Sequence, residues 1–272
     1  MYCPTLEEFR GLKAYGNLVP VYREVVADLD TPISAFLKIN RGGYSFLLES
    51  VEGGERIARY SFIGTEPYRV VTTREEDKTD PLHLIAGELD KYQLVPVSEL
   101  PRFCGGAVGY LAYETVRHFE ELPSPASDTL GLPESFFMFV DTVLVFDHVT
   151  HKIKIVSLAL LDGDIDNAYE TAVRKIDDLA NRLEQPHAPS QHITAHDTSA
   201  RPAGISSNCT RAQFEASVEK ARQYITEGEA IQIVLSQRLS QHTNAHPFDI
   251  YRTLRTINPS PYMFFLDQAL HS

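Results

Sequence analysis

The run Tyr44-Ser45-Phe46-Leu47-Leu48-Glu49-Ser50 constrains this chain more than any other stretch. Its density of aromatic and aliphatic residues, bounded by Gly42-Gly43 and Gly53-Gly54, predicts a buried strand. Arg59-Tyr60-Ser61-Phe62-Ile63-Gly64 has the same character and predicts an antiparallel partner, with Glu52-Gly53-Gly54 in the hairpin loop. A chain centred on a hairpin of this kind has to build antiparallel sheet. The strand ends in a carboxylate and a hydroxyl where packing should continue. A buried Glu49 needs a cation or hydrogen-bond donors to offset its desolvation, supplied by Arg56 or Arg59 or by a ligand.

Around this hairpin the chain alternates short helices and strands. Thr5-Leu6-Glu7-Glu8 has capping-box spacing and opens a helix to about Tyr15, Val19 to Val26 reads as a strand, and Thr31-Pro32 starts a second helix. Tyr68 to Thr73 is a further strand, Pro81 to Tyr92 a helix, and Tyr113 to Glu120 another, ended by the Pro123 to Pro125 loop. Ser135 to Asp147 and Lys152 to Leu160 read as one long hairpin joined by His148 to His151. Asp166 to Gln185 predicts an amphipathic helix with Ala172, Ile176, Leu179 and Leu183 on its apolar side. Thr210-x-x-Gln213 caps a helix closed at Gly228, Ala230 to Leu239 alternates like a strand, and a last helix carrying Phe248, Tyr251 and Leu254 must stop before Asn258-Pro259. Strand-rich antiparallel stretches with interspersed helices make the fold class α+β. The domains expected are 1–185, a flexible linker over 186–208, and 209–272.

Several function classes are excluded. A net charge of −12 with no Lys or Arg block argues against nucleic acid. Three cysteines, Cys3, Cys104 and Cys209, fit neither a disulfide framework nor a zinc site and read as packing residues in a reducing compartment. The charged N-terminus and the lack of any run of about 18 apolar residues predict a cytoplasmic protein with no membrane span. His148 and His151 read as solvated hairpin-tip residues, and His187, His192 and His196 lack metal-site spacing. Gly105-Gly106-x-x-Gly109 is neither a phosphate loop nor a dinucleotide fingerprint, so close strand packing is expected there.

The second informative stretch is Asn258-Pro259-Ser260-Pro261-Tyr262-Met263-Phe264-Phe265-Leu266-Asp267. Two prolines at alternate positions fix an extended backbone that cannot donate to a ladder, so nearby carbonyls and the Asn258 amide are free to face a ligand. Tyr262 adds an aromatic wall and Met263 a polarizable one. With Leu47 to Ser50, Arg59 to Gly64, Gly105 to Tyr110, Tyr113 to Glu120 and Gly228 to Arg238, this segment resembles the large subunit of anthranilate synthase, in the chorismate-utilising enzyme family.

The resemblance implies an enzyme, a carbon-oxygen lyase of tryptophan biosynthesis. It converts chorismate to anthranilate and pyruvate with Mg2+, using ammonia delivered by a glutamine amidotransferase subunit, and tryptophan inhibits it by feedback. It further implies a tryptophan pocket formed here by Leu48, Glu49, Ser50, Asn258, Pro259, Ser260, Pro261, Tyr262 and Met263. It implies a sandwich of two antiparallel sheets. The family's catalytic residues and Mg2+ ligands lie in a segment beyond the counterpart of Asp267, so none is expected in this chain, which reads as an N-terminal portion with an incomplete second half, inactive on its own. An aminodeoxychorismate synthase-like subunit and a non-catalytic amino-acid sensor or fragment are the alternatives.

Overall fold

The computed structural model describes residues 1–26, 28–50, 59–122, 130–186 and 204–269. The loops expected at Glu52 to Gly54 and at Pro123 to Pro125, Arg56, and most of the 186–208 linker with its three histidines lie outside the described residues. The predicted hairpin strands form as β3 (Ser45–Ser50) and β4 (Tyr60–Thr65), paired antiparallel with Phe46 opposite Gly64 and Leu48 opposite Phe62. The Phe46 ring lies on the bare glycine: a Cβ at Gly64 would fall 2.3 Å from it.

This hairpin sits inside a seven-stranded sheet. Its order is β1 (Tyr2–Cys3), β2 (Leu18–Val26), β9 (Lys152–Leu160), β8 (Thr142–Asp147), β4, β3 and β12 (Tyr262–Asp267), every pairing antiparallel. A three-stranded antiparallel sheet of β5 (Arg69–Thr73), β7 (Ser135–Val140) and β6 (Gly106–Leu111) covers one face. Phe46, Val143, Val145 and Val156 from the large sheet and Val108 and Met138 from the small one make the core between them. The expected sandwich is present, and the class is α+β.

One expectation about these strands is corrected. Ser135 to Asp147 is not a single strand; it breaks at Asp141, so β7 belongs to the small sheet and β8 to the large one. The unbroken apolar run Phe136 to Val140 hides the period of two, because residues on both faces of β7 are buried. The segment predicted as a helix after β6 is a 3-10 helix, Tyr113–His118.

Helices cover the opposite face of the large sheet. Capping boxes at Thr5 with Glu8 and Thr31 with Ser34 start α1 (Leu6–Gly11) and α2 (Pro32–Ile39). α3 (Pro81–Leu89), capped by Asp80, is instead tied to the small sheet by Glu88 on Arg69 of β5, whereas Asp164 caps α4 (Ile165–Glu184), whose stripe Ala172, Ile176, Leu179 and Leu183 is buried as its periodicity predicts. α4 packs on β9 and β2 and against α1 and α2. Its buried Arg182 ties α2 and the end of β4 to the layer by bonding the Ile39 carbonyl at 3.2 Å and Glu66 at 2.6 Å.

The chain divides into two compact units, Met1–Ala188 with Tyr251–Ser272, and Pro189–Ile250. The second holds α5 (Arg211–Thr226), started by the predicted Thr210–Gln213 capping box, and a ribbon of β10 (Ser206–Ser207) and β11 (Leu239–Ser240). The strand expected over Ala230 to Leu239 does not form there. Alternation alone cannot make a strand without a neighbour to accept its ladder, and Ile231 is 99% exposed. The last helix is α6 (Pro247–Ile257), whose residues from Tyr251 onward belong to the first unit.

Candidate functional site

The site grows from the way the chain leaves α6. The Asn258 amide closes the helix on the Leu254 carbonyl at 2.9 Å, Pro259 and Pro261 prevent continuation, and the alternating residues that follow enter the sheet as β12. β12 lies antiparallel to β3, with Tyr262 opposite Ser50, Met263 opposite Glu49 and Phe264 opposite Leu48. Two segments more than 200 residues apart in sequence are thus adjacent strands. Asn258, Pro259, Ser260 and Pro261 form the exposed connection leading to the residue opposite Ser50.

The pleat distributes these residues over two faces. Leu48, Ser50 and Tyr262 share the side that carries Phe46 and Leu266 toward the small sheet. Glu49 and Met263 share the helix side with Leu47 and Phe265, and Phe265 meets Phe36 of α2 edge-on at 5.8 Å. Glu49 and Met263 are buried, Tyr262 is exposed, and Leu48 and Ser50 are partly buried. A ligand touching all of them would have to sit at the end of the strand pair, where Ser50, Tyr262 and the proline connection meet.

Of the two arginines considered from sequence, Arg56 lies outside the described residues and Arg59 does not meet Glu49. Arg59 pairs with Asp147 at 2.9 Å, whereas Glu49 accepts a 2.6 Å hydrogen bond from the Tyr251 hydroxyl and lies 3.1 Å from Arg255 Nε. Burial, and then the bond to Glu49, push the Tyr251 phenol upward, so it remains a donor. Sequence reasoning placed Tyr251 in the apolar stripe of α6 and missed Arg255. The available signal was their spacing of four, which puts an aromatic hydroxyl and a cation on one helix face.

A second polar pair lies on β4 and just past β8: Ser61 Oγ is 2.8 Å from His148 Nε2. Burial holds the His148 imidazole below its ordinary value, with Arg255 and His151 adding to the effect and Asp147 opposing it. Burial alone would raise the Asp147 carboxyl, but Arg59 and the Val149 and Thr150 amides keep it below the usual range. A histidine with a depressed folded pKa binds fewer protons folded than unfolded, so stability falls as pH drops through its unfolded value near 6.5 and levels off below the folded one. His148→Gln is expected to flatten the decline in urea midpoint between pH 7 and 5. An unchanged slope would assign that decline to other groups. The Asp147 contribution is lost only at lower pH, below about 4.

At the far side of the sandwich a cleft of about 380 Å³ is lined by Leu18, Tyr68, Tyr92, Leu158 and Gly106 among others. Its one carboxylate, Asp141, is already engaged by Thr142 at 2.8 Å and Lys175 at 2.5 Å. Among the described residues no three His, Cys, Asp or Glu side chains are grouped to hold a metal ion. No helix among them is long and apolar enough to cross a membrane.

The chain is similar to curated proteins and to a solved structure over most of its length. The anthranilate synthase component 1 of Acetivibrio thermocellus is 41% identical over 98% of this chain, and the probable anthranilate synthase component 1 of Schizosaccharomyces pombe is 42% identical over 97%. The chain spans 57% and 54% of their lengths. The crystal structure of anthranilate synthase component I from Streptococcus pneumoniae superposes with a TM-score of 0.61 at 28% identity, covering 87% of this chain and 53% of that one. The model of the chorismate binding enzymes matches residues 43–271, a span that begins just before β3 and runs through β12, and the chain belongs to that family.

Proposed function

We propose that this chain is the effector-binding portion of an anthranilate synthase large subunit. The whole enzyme would convert chorismate and ammonia to anthranilate, pyruvate and water, with ammonia supplied by a glutamine amidotransferase partner. Tryptophan would inhibit by binding at the shared end of β3 and β12, over Leu48, Glu49, Ser50, Asn258, Pro259, Ser260, Pro261, Tyr262 and Met263. The observation that carries this reading is the register placing Ser50 opposite Tyr262 and Glu49 opposite Met263. A zwitterionic amino acid wants a carboxylate or carbonyls for its ammonium and apolar walls for its ring, and this strand end offers both. No described residue is assigned a catalytic role, and the Mg2+ of the proposed reaction is assigned no ligand among them.

The test joins this segment to the remaining length of the Acetivibrio thermocellus relative and follows anthranilate fluorescence. Tryptophan is expected to inhibit. Ser50→Phe, on the small-sheet side, and Met263→Thr, on the helix side, should each raise the tryptophan needed by about tenfold or more, a coupling loss within the usual 1 to 3 kcal/mol of allosteric effects. Turnover should stay within about twofold. Inhibition unaltered in both variants would remove the site from this strand pair.

A further inference from the structure

Tyr251 and Arg255 stand four residues apart on α6, and both converge on one oxygen, Glu49 Oε2, at 2.6 and 3.1 Å. No hydrogen bond among the described residues reaches the other oxygen, Oε1, although the Glu49 side chain is only 1% exposed. A carboxylate has room for about four donors, yet among the described residues this one receives a single hydrogen bond, from Tyr251, because Arg255 Nε at 3.1 Å is a charge contact without hydrogen-bond geometry. The Arg255 side chain, by contrast, is 35% exposed and has water within reach. α6 and β12 are consecutive, and both are fastened to β3: β12 by the ladder from Ser45 to Ser50, α6 by these two contacts on Glu49.

We propose that Tyr251 and Arg255 form a clamp on Glu49 that an incoming ammonium group must compete with, so that ligand binding frees Arg255 and loosens α6 from β3. The inference rests on the reading of the β3–β12 end as an amino-acid site. One buried carboxylate neutralises one cation, and a second brought to the same place is uncompensated where the dielectric is low. The cation that leaves is the one with solvent beside it. Tyr251 is neutral, stays on Oε2, and keeps the carboxylate aimed while Oε1 takes the ligand. Arg255 and Tyr251 are therefore positioning residues. They set how tightly an ammonium-bearing ligand is held and carry its arrival into the helix that leads to the proline connection.

Calorimetry on the 272-residue chain, with tryptophan and with indole-3-propionate as a ligand lacking the ammonium, tests this. Arg255→Gln removes the competitor, and tryptophan should bind about tenfold tighter while indole-3-propionate is unaffected. Arg255→Lys restores a cation and should return tryptophan affinity toward the wild-type value. In the wild-type chain, saturating tryptophan should speed amide exchange of Thr253 to Ile257 by about tenfold, a readout that stands even if Arg255→Gln does not fold. Equal tryptophan affinity in the wild type and Arg255→Gln, an equal gain for indole-3-propionate, or unchanged exchange in α6 would overturn the clamp. No tryptophan binding by the chain would overturn it too. The proposed site is judged separately, by the inhibition experiment.

Discussion

Valine in place of Gly109 is expected to cost about 3 kcal/mol or more, enough to leave much of the chain unfolded. A Cβ at this position would fall 1.8 Å from the Phe136 carbonyl oxygen and 2.7 Å from Phe137 Cα. Both are backbone atoms of β7, the middle strand of the small sheet, and Gly109 is paired directly with Phe137. A flexible side chain could swing aside, but a ladder can yield only by opening, which exposes the Phe136 and Met138 side of the core. Gly87→Ala is the matched control. It lies within α3 with nothing inside 4 Å of its Cβ, and alanine there should stabilise by about 0.5 to 1 kcal/mol by restricting the unfolded chain. Urea unfolding of the two variants separates the cases, and a wild-type midpoint for Gly109→Val would show that β6 can move away from β7.

Gly109 also shows what kind of information the sequence carries. Three glycines in Gly105-Gly106-Ala107-Val108-Gly109 suggest a phosphate loop until their order is compared with the known patterns, after which close packing is the better reading, and the structure bears that out at Gly109. Local signals were equally legible: the capping boxes of α1 and α5 and the apolar stripe of α4 depend on residues three or four apart. The β3–β4 hairpin was legible for the same reason. The partner of Glu49 was not. The arginines near it in sequence were the natural candidates, yet Arg59 is engaged by Asp147 across β4 and β8, and the carboxylate is met by Tyr251 from 202 residues away. The strand expected over Ala230 to Leu239 failed for a related reason, since a period of two marks a segment able to pair and says nothing about a neighbour. The candidate site was legible as two segments. That Glu49 and Met263 face the helices while Ser50 and Tyr262 face the small sheet depends on register, which only the fold supplies.

Glu49→Leu should cost about 3 kcal/mol and Glu49→Gln about 1 to 2, although both remove the same charge. Leucine takes away the acceptor of the 2.6 Å Tyr251 bond and the counter-charge of Arg255 together. Glutamine keeps an oxygen there, so the tyrosine retains an acceptor, and Arg255 can turn to the solvent that already reaches a third of its side chain. The difference between the variants is therefore mostly the worth of the tyrosine hydrogen bond, and Tyr251→Phe in the glutamine background should erase most of it. Affinity for tryptophan should follow a different order. A neutral amide cannot balance an ammonium, so glutamine and leucine should both weaken binding by at least tenfold despite their unequal stabilities. Thermal unfolding with and without tryptophan reads both quantities in one experiment, because a ligand at free concentration L that binds only the folded chain stabilises it by RT ln(1 + L/Kd), so Tm rises with the logarithm of its affinity. If Glu49→Gln keeps the full tryptophan-induced rise in Tm, the carboxylate holds α6 to β3 and does nothing for the ligand.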